Sequence, residues 1–234
     1  MITIREDVSR YMQELITWLE ATEETRLEDM EGFFRVRLDG YEAHMQIWKD
    51  AYTAFEQLLP KEVHTVLDLG CGTGLELDAI LSKRPGLSVT GVDLSPDMLG
   101  LLTQKHPSVQ TVCADYFACD FGENRYDAVI SFETLHHFTP EQKAVLFPRV
   151  RRALKPGGMW LQAEYVACCA EEETLLRNVL RRKRLRDGIP EDQFVHFDVP
   201  LTLEHELALL RGAGFIRADA PGCINGACFL RAIR

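Results

Sequence analysis

Val66-Leu67-Asp68-Leu69-Gly70-Cys71-Gly72-Thr73-Gly74-Leu75 is the stretch that decides how the chain is read. A short apolar run carries an acid, three glycines then alternate with small residues, and a helical pattern begins. The run predicts a buried parallel strand, a tight loop and a helix N-terminus. Glycine accepts positive φ and lets another molecule approach the bare backbone. A helix start offers N–H groups without intrahelical partners and the positive end of a dipole. A ligand with a nucleotide-like part fits such a loop, lying across Gly70, Gly72 and Gly74.

Outward from this loop, apolar runs and helical patterns alternate. The patterning predicts strands near 63–69, 87–92, 109–113, 126–131 and 158–164, with helices near 74–84, 96–105 and 140–154. Ser95-Pro96-Asp97 and Thr139-Pro140-Glu141 each offer an N-cap, a proline at the first helical position and an acid in the first turn. Such alternation argues for a doubly wound, mostly parallel sheet. Pro156-Gly157-Gly158 reads as a sharp turn ahead of the fifth strand. A charged, helical insertion is expected over about 166–200. A helix follows from Thr202 to Gly212, then two short strands near 215–219 and 226–232 separated by Pro221-Gly222. Upstream, 5–21 is one amphipathic helix and Glu20 to Glu31 an exposed acidic loop. Tyr41, Met45, Trp48, Tyr52, Phe55 and Leu59 form the stripe of a second helix that Pro60 stops. The expected organisation is a helical cap over 1–60 and a core over 61–234.

Bulk properties exclude several classes. The chain has 234 residues, 46% hydrophobic and 26% charged, with formal charge −10. That acidic balance disfavours binding to a phosphate backbone. No apolar run approaches the ~18 residues of a membrane span. Met1 to Asp7 lack a basic segment followed by an apolar one, so a cytoplasmic protein is expected. Seven cysteines without a C-x-x-C pair fit reduced thiols better than a disulfide frame or a zinc site, and no metal is expected.

The glycine spacing separates two nucleotide-binding patterns. Dinucleotide folds use G-x-G-x-x-G, whose third glycine packs helix on strand; here that position is Leu75. Asp68-x-Gly70-x-Gly72-x-Gly74 instead resembles motif I of the class I S-adenosylmethionine-dependent methyltransferases. Asp93, Asp115 and Lys155-Pro156-Gly157-Gly158 follow in that family's order. The resemblance covers about 62–165 well. It implies a seven-stranded Rossmann-like sheet closed by an antiparallel hairpin, and S-adenosylmethionine as cofactor. Cysteine and threonine of the loop, Cys71 and Thr73, would lie with the glycines along it. Asp93 would accept the ribose hydroxyls, Leu94 and Met98 would touch adenine, and Asp115 (with Asp120 competing) would take its amino group beside Tyr116. Phe132 would border the methionine part. Arg35 and Tyr41-Glu42-x-His44-Met45 resemble the cap of a bacterial branch in which a tyrosine or arginine reaches the cofactor carboxylate; for Tyr41 the alternative is a buried helix stripe.

For the chemistry, Glu133-x-x-His136-His137-Phe138 follows the fourth strand, and a histidine has the right pKa for a general base near neutrality. His136 and His137 are candidates for that base or for lining the acceptor pocket, with Glu133, Glu164 and Tyr165 bordering it. His196, Phe197 and Asp198 can enter it from the insertion. The fourth strand lacks the Asn/Asp-Pro-Pro-Tyr of many amino-methylating enzymes. Arg177, Arg181, Arg182, Lys183, Arg184 and Arg186 form the basic cluster, either a solvated helix face or an anchor for an anionic acceptor such as RNA. The expectation is metal-independent methyl transfer to an unidentified small molecule. Alternatives are tRNA wobble-uridine modification, a binding protein without transfer activity and, less well matched, a nicotinamide oxidoreductase.

Overall fold

The computed structural model describes residues 4–234; the first three residues of the N-terminal stretch read above lie outside them. The strand–loop–helix at Gly70 is central to the fold. Strand β1 (Thr65–Leu69) is followed by helix α4 (Leu75–Lys83), after α1 (Val8–Ala21), α2 (Met30–His44) and α3 (Lys49–Leu58). Then come β2 (Ser88–Asp93), α5 (Pro96–Lys105), β3 (Gln110–Cys113), β4 (Tyr126–Phe132), α6 (Pro140–Ala153) and β5 (Leu154–Tyr165). Helices α7 (Ala170–Asp187) and α8 (Leu203–Gly212) precede β6 (Arg217–Ile224) and β7 (Ala227–Ile233). The seven strands lie in the order β3-β2-β1-β4-β5-β7-β6. Only the pairings made by β7 are antiparallel.

Side chains alternate across the sheet and build two apolar layers. Val66, Val89, Ile130 and Leu161 pack on one face with Tyr52 and Phe55 of α3, Leu77 and Ile80 of α4, and Leu99 and Leu102 of α5. Leu67, Leu69, Val129 and Trp160 pack on the other with Leu146, Phe147 and Val150 of α6 and Leu210 of α8. Both faces are covered, which explains why β1 and β4 are apolar almost throughout. Their parting loops open a crevice at the carboxyl ends of β1 and β4, where strand order reverses.

Four local expectations change. The second N-terminal helix divides into α2 and α3 at a 3-10 turn, Met45–Trp48, because α2 faces the crevice while α3 lies on the sheet. Lys155-Pro156-Gly157-Gly158 is an excursion inside β5, not a turn before it: the register with β4 slips between Tyr126 and Ala128, and Gly157 takes φ +76°. The closing hairpin turns at Asn225-Gly226, both at positive φ, while Pro221-Gly222 lies in an irregular part of β6. Asn-Gly suits a two-residue hairpin because both central residues are left-handed there. Lastly, Cys223 and Cys228 face each other across that hairpin and form a disulfide, against the reading of all cysteines as reduced. Their register opposite one another, and not any motif spacing, brings them together.

The insertion is helical only over α7; residues 188–202 form a loop with an isolated bridge from Val195 to Asp29. Much of the basic cluster is used here. Lys183 is buried and its ammonium donates to the carbonyls of Thr22, Glu23 and Thr25 at 2.7, 2.8 and 3.0 Å. Arg182 pairs with Glu23, Arg177 with Glu141, and Arg184 donates to the Gln193 carbonyl at 2.8 Å. Among the described residues no helix is long and apolar enough to cross a membrane.

Candidate active site

The glycine loop is shaped by its own hydrogen bonds. Gly70 N–H donates to Val92 O at 2.8 Å and Gly74 N–H to Cys71 O at 2.8 Å. Asp93, at the end of β2, ties the loop to the next one: one carboxylate oxygen accepts from Gly72 N–H at 2.9 Å and the other from Ser95 N–H at 2.8 Å. Each of its oxygens retains a lone pair. Burial raises the Asp93 pKa, and the backbone amides of Ser95, Gly72 and Leu94 oppose that shift.

Above the loop lies a cavity lined by Tyr41, Gly70, Gly72, Asp93, Leu94, Met98, Asp115, Tyr116 and Phe132, all expected from sequence. Asp115 is distinguished from Asp120, whose carboxylate turns back to Gly122 N–H at 3.0 Å outside the lining. Cys71, Thr73 and Gly74 do not reach the cavity wall, nor does Arg35. Asp68 does not reach it either. It is fully buried below the loop, and neither oxygen has a hydrogen-bond partner. Burial and the neighbouring Glu76 push its carboxyl well above the usual range, and burial raises Glu76 to about 7. Phe34 of α2, Phe138 and Phe194 also line it, and Phe34 and Phe194 are not among the residues expected there. Phe138 and Phe194 stack with centroids 5.0 Å apart.

A second cavity shares Phe34, Tyr41, Glu133 and His137 with the first and extends to Phe33, Met45, Trp48, His136, His196 and Asp198. Its polar floor is organised by Glu164, which is buried on β5. Glu164 accepts from Leu135 N–H and His136 N–H and contacts His136 Nδ1 at 3.1 Å. Thus Glu164 underlies the pocket instead of lining it, and Tyr165 is engaged with Tyr11 at 2.7 Å. Asp198 Oδ1 stands 3.2 Å from His137 Nδ1 and 3.6 Å from His136 Nε2. Burial acts to lower the His136 pKa, but the Glu164 hydrogen bond and the charges of Asp198 and Glu133 outweigh it, to about 9. Burial raises Glu133 to about 8, and burial with the His136 charge lowers His137. His196 stacks on Phe33 at 3.4 Å and is brought down to about 4, chiefly by burial. Glu133 itself takes φ +49°, uncommon for a residue with a side chain.

Residues 66–158 match the family described as "Methyltransferase domain". Those residues resemble a methyltransferase domain. The chain is 37% identical over 105 residues to an uncharacterised methyltransferase of Mycobacterium bovis, covering 45% of this chain and 41% of that one. It is 35% identical over 104 residues to the 2-methyl-6-phytyl-1,4-hydroquinone methyltransferase of a Synechocystis strain, covering 43% and 32%. The chain thus spans less than half the length of these relatives. In fold, it is similar to human N-acetylserotonin methyltransferase solved with its S-adenosylmethionine, with TM-score 0.67 and 18% identity over 96% of this chain and 66% of that one.

The first cavity fits the donor used by the family that the chain resembles. Gly72 offers bare backbone to the cavity, for a Cβ there would meet only Tyr41 Oη at 3.7 Å and Gly70 O at 4.0 Å. Asp93 has lone pairs to spare beside a wall of Leu94, Met98 and Tyr116. An adenosine needs such a set: a carboxylate for vicinal hydroxyls and apolar faces for the base.

Proposed function

We propose that the protein transfers a methyl group from S-adenosylmethionine to a small-molecule acceptor. The observation that carries this reading is the pair of cavities sharing a wall at Tyr41, Glu133 and His137. In-line displacement needs donor and acceptor end to end, and two adjoining sites supply that arrangement. Bound, the donor supplies a sulfonium methyl already activated for transfer.

The chain's residues position both molecules. Asp93 would hold the ribose hydroxyls, Asp115 the adenine amino group, and Leu94, Met98 and Tyr116 the faces of the base. The Gly70 and Gly72 backbone and Tyr41 would border the amino-acid end, with Phe132 beside the sulfur. The acceptor would lie against Phe33, Phe34, Trp48 and His196, with His136 and His137 lining its reacting end. An aromatic, partly apolar wall suits a small ring-bearing molecule. The basic cluster is largely engaged in contacts within the chain, which leaves the RNA reading without support.

Calorimetric titration with S-adenosylmethionine, S-adenosylhomocysteine and NADH tests the donor. One-to-one binding of the two adenosyl sulfur compounds is expected, weakened at least tenfold (~1.4 kcal/mol) in Asp93→Ala. Because Asp93 also holds Gly72 and Ser95, a melting curve of each variant and the milder Asp93→Asn separate lost binding from lost fold. Binding of NADH alone would overturn the proposal.

A further inference from the structure

The floor of the second cavity has the makings of a cation site. One ring nitrogen each of His136 and His137 and a carboxylate oxygen of Asp198 lie within 4.8 Å of one another. Ligands around a first-row ion at ~2.0–2.1 Å stand roughly 3–3.5 Å apart, close to the 3.2 and 3.6 Å from Asp198 to the two rings. Small side-chain rotations would bring the third edge into that range.

Two further observations point the same way. The remaining ring nitrogen of His136 is bound by a buried carboxylate, Glu164 at 3.1 Å. This is the outer-shell partner that metal-bound histidines ordinarily have, and it turns Nε2 toward the cavity. In addition, three carboxyl groups, Glu133, Glu164 and Asp198, surround the two rings, and their ion-pair partners among the described residues are histidines alone. Among the described residues no lysine or arginine pairs with them. Glu164 is withdrawn from water while Asp198 is partly exposed, and a divalent ion beside them would add positive charge where the histidines alone now supply it.

We propose that His136, His137 and Asp198 bind a divalent first-row transition ion, oriented through Glu164, at the acceptor end of the cavity. Two imidazoles and one carboxylate suit zinc, iron(II) or cobalt(II) better than magnesium or calcium. Three protein ligands leave positions open toward Phe33, Trp48 and His196, where a hydroxyl oxygen of a small molecule can bind. On the methyl-transfer reading, a hydroxylated acceptor would bind there as its oxyanion, its proton passing to water. The ion would then replace a histidine base. No ligand spacing marks this site in the sequence, because Asp198 lies some sixty residues beyond the two histidines and reaches them through the insertion loop.

Chelator-treated full-length protein titrated with cobalt(II), followed by visible absorption and calorimetry, tests the site without reference to catalysis. One ion per chain with nitrogen–oxygen ligand bands is expected, weakened at least tenfold in Asp198→Ala and in His137→Ala, and also in the outer-shell variant Glu164→Gln. Thermal melts verify that each variant is folded, and Asp198→Asn gives a milder version of the change. The double variant Cys168→Ser/Cys169→Ser should bind normally. Absence of saturable binding, binding unchanged in the Asp198 and His137 variants, or loss only in the cysteine variant would each overturn the proposal. Asp93→Ala should keep the ion while losing S-adenosylhomocysteine. Cobalt binding in a parent protein that ignores S-adenosylhomocysteine would retain the ion site and remove the methyl-donor reading.

Discussion

Alanine at Gly70 and alanine at Gly72 should fail in different ways, although both glycines are left-handed and two residues apart. Gly70 takes φ +73°, and a Cβ there would stand 2.2 Å from Thr134 Oγ1 and 2.3 Å from Tyr116 Oη. Those two oxygens bond each other at 2.9 Å, so the methyl must break a partly buried contact and displace both side chains. Left-handed backbone costs an alanine ~1–2 kcal/mol, the lost hydrogen bond ~1, and forced repacking ~1–3. Gly70→Ala should therefore lose on the order of 3–6 kcal/mol of stability, a large share of the 5–15 typical of a domain. Gly72 takes φ +47° with only ordinary van der Waals contacts around its Cβ, so alanine there costs little beyond the backbone term, ~1–2 kcal/mol. Its methyl instead stands in the cavity where ligand would meet bare backbone, and S-adenosylhomocysteine should bind at least tenfold more weakly. Urea unfolding by linear extrapolation and calorimetry read the two effects separately. The reasoning is refuted if Gly72→Ala binds as tightly as the parent, or if Gly70→Ala is no less stable than Gly72→Ala.

Asp127 accepts from His64 N–H, Thr65 N–H and the Lys155 ammonium at 3.0, 2.9 and 2.7 Å, far from the crevice. Burial acts against ionisation there, but the Lys155, Thr65 and backbone bonds hold its carboxyl well below the usual range. Its stabilisation is therefore complete above about pH 4 and lost as pH falls through the folded value. Asp127→Asn should cost ~1–3 kcal/mol at neutral pH, with the difference shrinking in acid and donor binding unchanged. Lys143 and Glu206 form a buried ion pair between α6 and α8, so Lys143→Met should cost ~3–5 kcal/mol in urea unfolding, much of it recovered in Lys143→Met/Glu206→Leu. Asn225→Ala, at φ +52° in the closing hairpin, should lower stability by ~1–2 kcal/mol and leave ligand binding alone.

The core was legible because its signals are local. Alternating apolar runs placed β1, β2, β3 and β4 within about two residues, and Ser95 and Thr139 cap α5 and α6 as read. The cavity residues at strand ends, Asp93 and Asp115, were legible for the same reason. What the sequence withheld depends on long-range packing. Glu133-x-x-His136-His137 marked a pocket, but that Glu164 lies beneath it could be seen only once β4 and β5 paired. Phe34 and Phe194 come from segments with no strand register to place them. Asp68 shows the reverse case: a motif residue with a ligand-like signature that faces inward beneath the loop. The Asn225-Gly226 turn was readable in principle, as Asn-Gly between apolar runs is a strong hairpin signal.

The lysine ammonium that holds three carbonyls of the 22–25 segment makes two distant stretches of sequence mechanically one. The His196 ring stacked on Phe33 and the Val195 bridge to Asp29 extend that fastening to the cavity. A chimera that exchanged only the insertion, or only the N-terminal helices, would arrive with half of its fastenings missing. Altering what the second cavity accepts would therefore mean transplanting both stretches as a matched pair onto an unchanged sheet.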